Sequence, residues 1–193
     1  MKETIAGALA AHRRVAEEMI AAFPAVLEDV ARRILACYRA GGKILVFGNG
    51  GSAADAQHFA AELVGRYKRE RAALPAIALT TDTSILTAVA NDYSYADVFA
   101  RQVEAHARPG DVVIGISTSG NSENVLRALT VARRIGAMTV VLSGGSGGKL
   151  KDLADVSVIA PSSDTPRIQE SHITAIHIVC DLVEGEMAGG PSQ

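Results

Sequence analysis

One stretch constrains this chain more than any other: Asp111-Val-Val-Ile-Gly-Ile-Ser-Thr-Ser-Gly-Asn-Ser122, an apolar run that breaks off into small polar residues. Residues 112–116 are mostly β-branched and follow Pro109-Gly110, which marks a short strand. Continuous apolar runs of this kind belong to parallel sheets covered by helices on both faces. Beyond the loop, Val125, Leu129 and Ala132 recur at helical spacing and Gly136 supplies a stop. The loop therefore joins a strand's carboxyl end to a helix's amino end. There the helix dipole and free N–H groups favour an anion, and Ser117, Thr118, Ser119 and Ser122 add hydroxyl donors. A polar turn with an N-cap is the plainer reading, but so many donors favour a phosphate holder.

The same alternation runs through the chain. Strands are predicted at 43–47, 76–79, 111–116, 139–142 and 156–159, with helices at 53–66, 83–90, 95–107, 122–135, 148–154 and 165–187. Two further helices, 3–22 and 24–40, lead the chain, the second opened by Pro24 and closed by Gly41-Gly42. The pattern predicts a single α/β domain over residues 1–193. Its core, 41–188, is a three-layer α/β/α sandwich on a five-stranded parallel sheet, and residues 1–40 form the two leading helices. Their apolar residues Leu9, Val15, Met19, Val26, Val30 and Leu35 need a cover, either the rest of the chain or a partner subunit. The tail Gly189-Gly-Pro-Ser-Gln193 reads as frayed.

Composition narrows the partners. With 193 residues, 48% of them hydrophobic, the chain can bury a substantial core. A net charge of −2 argues against a surface built for nucleic acid or an anionic membrane. No apolar run approaches the roughly 18 residues of a membrane span. Cys37 and Cys180 sit in helical apolar patterns of a chain without a signal peptide, so reduced buried thiols and a cytoplasmic location are expected.

A second loop repeats the design of the first. Residues 43–47 run into Gly48-Asn-Gly-Gly-Ser52 and then a helix, again presenting backbone amides beside a hydroxyl. It is neither the Gly-x-Gly-x-x-Gly fingerprint nor a Walker-type Gly-Lys-Ser/Thr loop, which disfavours a dinucleotide or a nucleoside triphosphate. On the helix that follows, His58 and Glu62 are four apart and share a face, a spacing suited to a divalent metal, to proton exchange or to a solvated pair. The last helix places Gln169, His172 and His177 within an apolar stripe, where a hydrogen-bonded core histidine is the bland alternative. His12 and His106 read as surface residues.

Taken together, Gly48-Asn-Gly-Gly-Ser52 with Asp55, His58, Ala60 and Glu62, then Asn91-Asp92, Ile116-Ser-Thr-Ser-Gly-Asn-Ser122, and Arg167-Ile-Gln-Glu170 with His172 and His177 resemble the bacterial phosphoheptose isomerases of the sugar isomerase (SIS) domain group. The resemblance covers nearly the whole chain. It implies interconversion of sedoheptulose 7-phosphate and D-glycero-D-manno-heptose 7-phosphate, the first step toward ADP- or GDP-heptose for cell-envelope glycans. It also implies that Ser52, Ser117, Thr118, Ser119 and Ser122 hold the sugar phosphate, while Asn49, Gly50, Gly51, Asn91 and Asp92 contact the substrate. His58, Glu62, Gln169 and His177 would be ligands of one zinc ion, with Glu62 and His177 also the acid/base pair. The family assembles as a homotetramer, which would cover the leading helices.

Moving a carbonyl between neighbouring carbons means removing a carbon-bound proton, passing through an enediol and returning a proton next door. A carboxylate base and an imidazole acid suit that work, and Glu62 should be partly desolvated to serve. For zinc, Gln169 and His177 lie eight residues apart, about 12 Å along a helix, so both would have to lean toward the ion. Two non-enzymic alternatives share the fold: a binding protein that associates with the bacterial replication initiator, and a sugar-phosphate sensor of a transcription regulator. The first lacks acid/base residues such as Glu62 and His177, and the second needs a helix-turn-helix domain in front of the SIS-like region.

Overall fold

The computed structural model describes residues 1–189; residues 190–193, most of the tail expected to fray, lie outside the described residues. Among the described residues five strands form one sheet: β1 Ile44–Gly48, β2 Ala76–Ala78, β3 Val112–Ile116, β4 Met138–Gly144 and β5 Val156–Ala160. All neighbours are parallel, in the order β2-β1-β3-β4-β5. Helices α1 Lys2–Ala22, α2 Pro24–Arg39, α3 Gly51–Val64 and α8 Thr165–Ala188 lie on one side. The other side carries α4 Thr83–Asp92, α5 Ala100–His106, α6 Glu123–Ile135 and α7 Leu150–Leu153.

Strand alternation divides the core. Ile44, Val46, Val112 and Ile114 join one buried cluster, whereas Leu45, Phe47, Val113 and Val141 join the other. Both faces being covered explains why β1 and β3, buried throughout, read as unbroken apolar runs. The strand order, which periodicity cannot supply, has a functional consequence. The chain leaves β1 for one neighbour, β2, and later returns to the other, β3. That makes β1/β3 the topological switch point, the place beyond the carboxyl ends where sheets of this topology bind ligands.

Two expected helices are shorter than predicted. Residues 148–154 yield only α7, because Gly147 and Gly148 take φ of +85° and +55°, which no right-handed helix accommodates. Residues 95–107 split into a 3-10 turn, Tyr95–Asp97, and α5, with Val98 and Phe99 between them driven into the core. Near the first loop α3 begins at Gly51, two residues earlier than expected. Cys37 and Cys180 are free and buried; burial, with the Glu62 and Glu184 carboxylates nearby, pushes the Cys180 thiol up to about 12.

The leading helices settle differently. α2 packs onto the chain through Leu27, Val30, Ile34 and Leu35, but α1 buries only Val15 and Met19 and leaves Ile5, Leu9 and Ile20 exposed. The amino half of α1 is tied to α8 by His12 Nδ1, 2.7 Å from Glu170 Oε2, and by Arg167 Nη1 donating to the Ala8 carbonyl.

One ion pair inside the fold is almost wholly dry. Glu184 and Arg71 have side chains 1% and 2% exposed, with Oε1 and Nε 3.5 Å apart. The carboxylate also accepts the N–H groups of Tyr67, Lys68 and Arg69 at 2.8, 2.6 and 2.7 Å. Burial alone would raise its pKa, but those three donors and Arg71 outweigh it and leave the group below its ordinary value of 4.5. A depressed folded-state pKa contributes stability that is complete above 4.5 and is lost as pH falls through the folded value. Glu184→Gln leaves Arg71 buried without a counter-charge, so we expect a loss of roughly 3–5 kcal/mol at pH 7. Thermal melts of the variant should also depend less on pH than those of the parent as pH falls below 4.5.

Candidate active site

The switch point is built from the two small-residue loops. At Gly48 a Cβ would lie 2.7 Å from the Ser52 Cβ and 2.8 Å from the Ile116 carbonyl oxygen, so only glycine lets the β1 loop close against the end of β3. Asn49 and Asn124 then lock the loops together by exchanging carboxamide hydrogen bonds of 2.9 and 2.8 Å. The Tyr95 hydroxyl donates to the same Asn49 oxygen at 3.0 Å. Asn124 is 4% exposed, so this pairing is part of the interior. Asn124 and Tyr95 carried no signal in the sequence: one is an ordinary first-turn residue of α6, the other lies some thirty residues away from it on a separate loop.

Both helices that leave the loops start without a side-chain cap. Ser122 stands at the N-cap of α6, but its Oγ lies 2.9 Å from the Ser117 Oγ and makes no cap bond. At the head of α3 the N-cap is Gly50. First-turn N–H groups that no side chain satisfies are the donors an anion needs. Ser117 and Ser52 are buried, Thr118 is half-buried and Ser119 is exposed, its Oγ accepting from the Asn121 N–H. Asn91 and Asp92 end α4 with exposed side chains bonded to each other at 2.8 Å, on the segment that leads to Tyr95.

Away from the loops, α3 and α8 lie side by side and meet at two levels. At the first, the Gln169 carboxamide packs so closely on Gly51 that a Cβ there would overlap its nitrogen. At the second, two turns along both helices, His58 and His177 face each other with Nε2 atoms 3.1 Å apart. Glu62, one turn beyond His58, brings its Oε1 to 3.1 Å from the same Nε2 with a side chain 22% exposed. The Tyr67 ring stacks on His177 at 5.5 Å between centroids.

Of the four predicted metal ligands, three are thus joined in a chain centred on His58, and Gln169 stands at the Gly51 level. Two imidazole nitrogens at 3.1 Å can share one proton. The spacing is also close to the roughly 3.3 Å between neighbouring ligands of a tetrahedral zinc with bonds near 2.0 Å. Among the described residues no cluster of three or more His, Cys, Asp or Glu closes around a common point, so the donors are of the right kind and spacing but form a chain rather than a shell.

Two residues of the motifs that had no assigned role can now be placed. Asp55 lies one turn from His58 with a buried, unpartnered Oδ2, and burial pushes it up to about 6 against the opposing pull of His58. His172 is wholly buried and its Nε2 lies 3.0 Å from the Ser143 carbonyl oxygen; burial holds its pKa down, so it is a neutral core histidine fixing α8 to β4.

The SIS domain family matches residues 9–144. The phosphoheptose isomerase of Geobacter sp. strain M21 is 59% identical over 187 residues, covering 97% of each chain. That of Aliarcobacter butzleri is 53% identical over 97% of this chain and its own full length. Among solved structures, the phosphoheptose isomerase of Neisseria gonorrhoeae superposes with a TM-score of 0.91 at 44% identity, covering 95% of this chain and 98% of that one. Among the described residues no helix is long and apolar enough to cross a membrane.

Proposed function

Because the chain belongs to the phosphoheptose isomerases of the SIS-domain family, we propose that it interconverts sedoheptulose 7-phosphate and D-glycero-D-manno-heptose 7-phosphate through an enediol. The observation that carries this reading is spatial. Two anion-presenting loops and the Glu62, His58, His177 chain are separated by about two turns of α3, roughly 10 Å. An extended seven-carbon sugar spans a similar length from its terminal phosphate to its carbonyl, about 9 Å at ordinary bond lengths. A phosphate seated on Ser52, Ser117, Thr118, Ser119 and Ser122 therefore brings the other end of the sugar to Glu62 and His177.

In this arrangement Glu62, 22% exposed and one turn beyond His58, takes the carbon-bound proton and returns it to the adjacent carbon. His177 moves the proton between the two oxygens, and His58 sets the direction of its ring. Asn49, Gly50, Gly51, Asn91 and Asp92 line the sugar between the two ends, with Gln169 facing it at the Gly51 level. His58, Glu62, Gln169 and His177 would hold a zinc ion, Gln169 by swinging toward the histidines. When bound, the ion supplies polarisation of the substrate carbonyl. The product would feed ADP- or GDP-heptose synthesis for cell-envelope glycans, in the cytoplasm.

A homotetramer completes the proposal. Beside the exposed Ile20 a groove of about 780 Å3 runs between α1, α2 and α8, lined by Val15, Met19, Phe23, Ile178 and Leu182. The apolar side chains left exposed along it, Ile20, Ile178 and Leu182, fit burial against further copies of this chain.

Purified protein given sedoheptulose 7-phosphate should yield an aldoheptose phosphate, and Glu62→Gln should reduce kcat by about 10²–10⁴ while melting like the parent. A folded Glu62→Gln protein with full activity would remove the base from this account. Native mass spectrometry tests assembly and metal at once. The expected species is four 20.1 kDa subunits with one zinc each, whereas fully active monomer or metal-free protein would contradict the tetramer or the zinc.

A further inference from the structure

The segment that follows α3 is fastened to α8 along one face. His177, Asp181 and Glu184 stand at i, i+4 and i+7 and so point the same way. Glu184, two turns beyond His177, takes the N–H groups of Tyr67, Lys68 and Arg69 on its buried carboxylate. One turn nearer, Asp181 receives Lys68 Nζ at 3.1 Å and Arg69 Nη1 at 2.6 Å. Arg71 closes the same turn from inside. Its Nη2 donates to the Glu62 carbonyl at 2.7 Å, and its Nη1 donates to the carbonyls of Gly65 and Ala72, each at 3.0 Å. Three successive amides on one carboxylate leave the backbone of 67–69 no freedom to shift, and Tyr67 is the residue this delivers to His177.

The imidazole needs that help. Rotation about its Cβ–Cγ bond is a broad, soft torsion, and the contact with His58 Nε2 restrains it only along one edge. The Tyr67 ring lies across the imidazole face at 30° between planes, which blocks the rotation that would turn Nε2 away.

We propose that Tyr67 is a positioning residue for His177, placed on the imidazole by the buried Glu184 and Arg71 pair. The inference rests on the reading of His177 as the group that exchanges protons with the substrate. The ring, not the hydroxyl, does the positioning, so a flat hydrocarbon suffices and a branched one does not.

The test uses the full-length protein with 13C-labelled histidine. In Tyr67→Leu we expect kcat to fall roughly tenfold with KM for sedoheptulose 7-phosphate little changed, as displacement of a catalytic group predicts, and Tyr67→Phe should recover most of the loss. The His177 ring-proton signal, identified by its disappearance in His177→Asn, should move downfield in Tyr67→Leu as the shielding ring is lost. It should stay in place in Tyr67→Phe. Glu184→Gln, which keeps Tyr67 itself, should move the same signal. An unmoved signal in Tyr67→Leu, or parental kcat in that variant, overturns the proposal. If the parent protein turns over no heptose phosphate, the isomerase reading falls instead, and the His177 signal alone decides whether Tyr67 positions the ring.

Discussion

Everything at this site depends on how closely β1 and β3 approach at their carboxyl ends. Gly48 sits where any side chain would strike the Ile116 carbonyl and Ser52, and because it does not, two loops written far apart in the chain become one site. The parallel sheet makes the approach possible by sending every strand end to the same edge. The reciprocal carboxamide pair of Asn49 and Asn124 then holds it. Both helix starts are left uncapped by side chains, so no side chain competes with a ligand for their first-turn N–H groups.

The second requirement is length. A phosphate site alone binds; chemistry needs groups at a fixed distance from it. That distance is set by α3 and α8 lying together, with Gly51 giving room for Gln169 at one level and His58 meeting His177 at the next. Helical rise acts as the ruler. Farther along, the buried Glu184 and Arg71 hold the turn after α3 and with it the end of the helix that carries Glu62. Stability and site geometry are thus coupled through a dry ion pair, an arrangement whose loss is expensive because the remaining charge stays buried.

Much of this was legible in the sequence because it rests on local patterns. Continuous apolar runs marked β1 and β3, since burial on both faces leaves no alternation to confuse them, and i,i+4 spacing put His58 and Glu62 on one face. Strand order was not legible, because it depends on which crossovers pack, and with it went the identity of the switch point. The helix expected at 148–154 begins only at Leu150, because the positive φ of Gly148 forbids a right-handed start there. Tyr67, Asn124 and Glu184 act through partners 75 to 117 residues distant, and no single-sequence pattern encodes such pairings. Gln169 shows the limit from the other side: its helical position was clear, but which neighbour its flexible side chain meets was decided by Gly51 on another helix.

The central claim is that Glu62 and His177 move protons through an enediol at one end of a sugar held by its phosphate at the other. Turnover of sedoheptulose 7-phosphate in D2O, followed by NMR, addresses it directly. The account predicts deuterium appearing at the carbon next to the carbonyl as the two heptose phosphates equilibrate, because the abstracted proton rests on a carboxylate 22% open to solvent. Equilibration over many turnovers with every carbon-bound hydrogen retained would contradict it and point to direct hydride transfer between the two carbons.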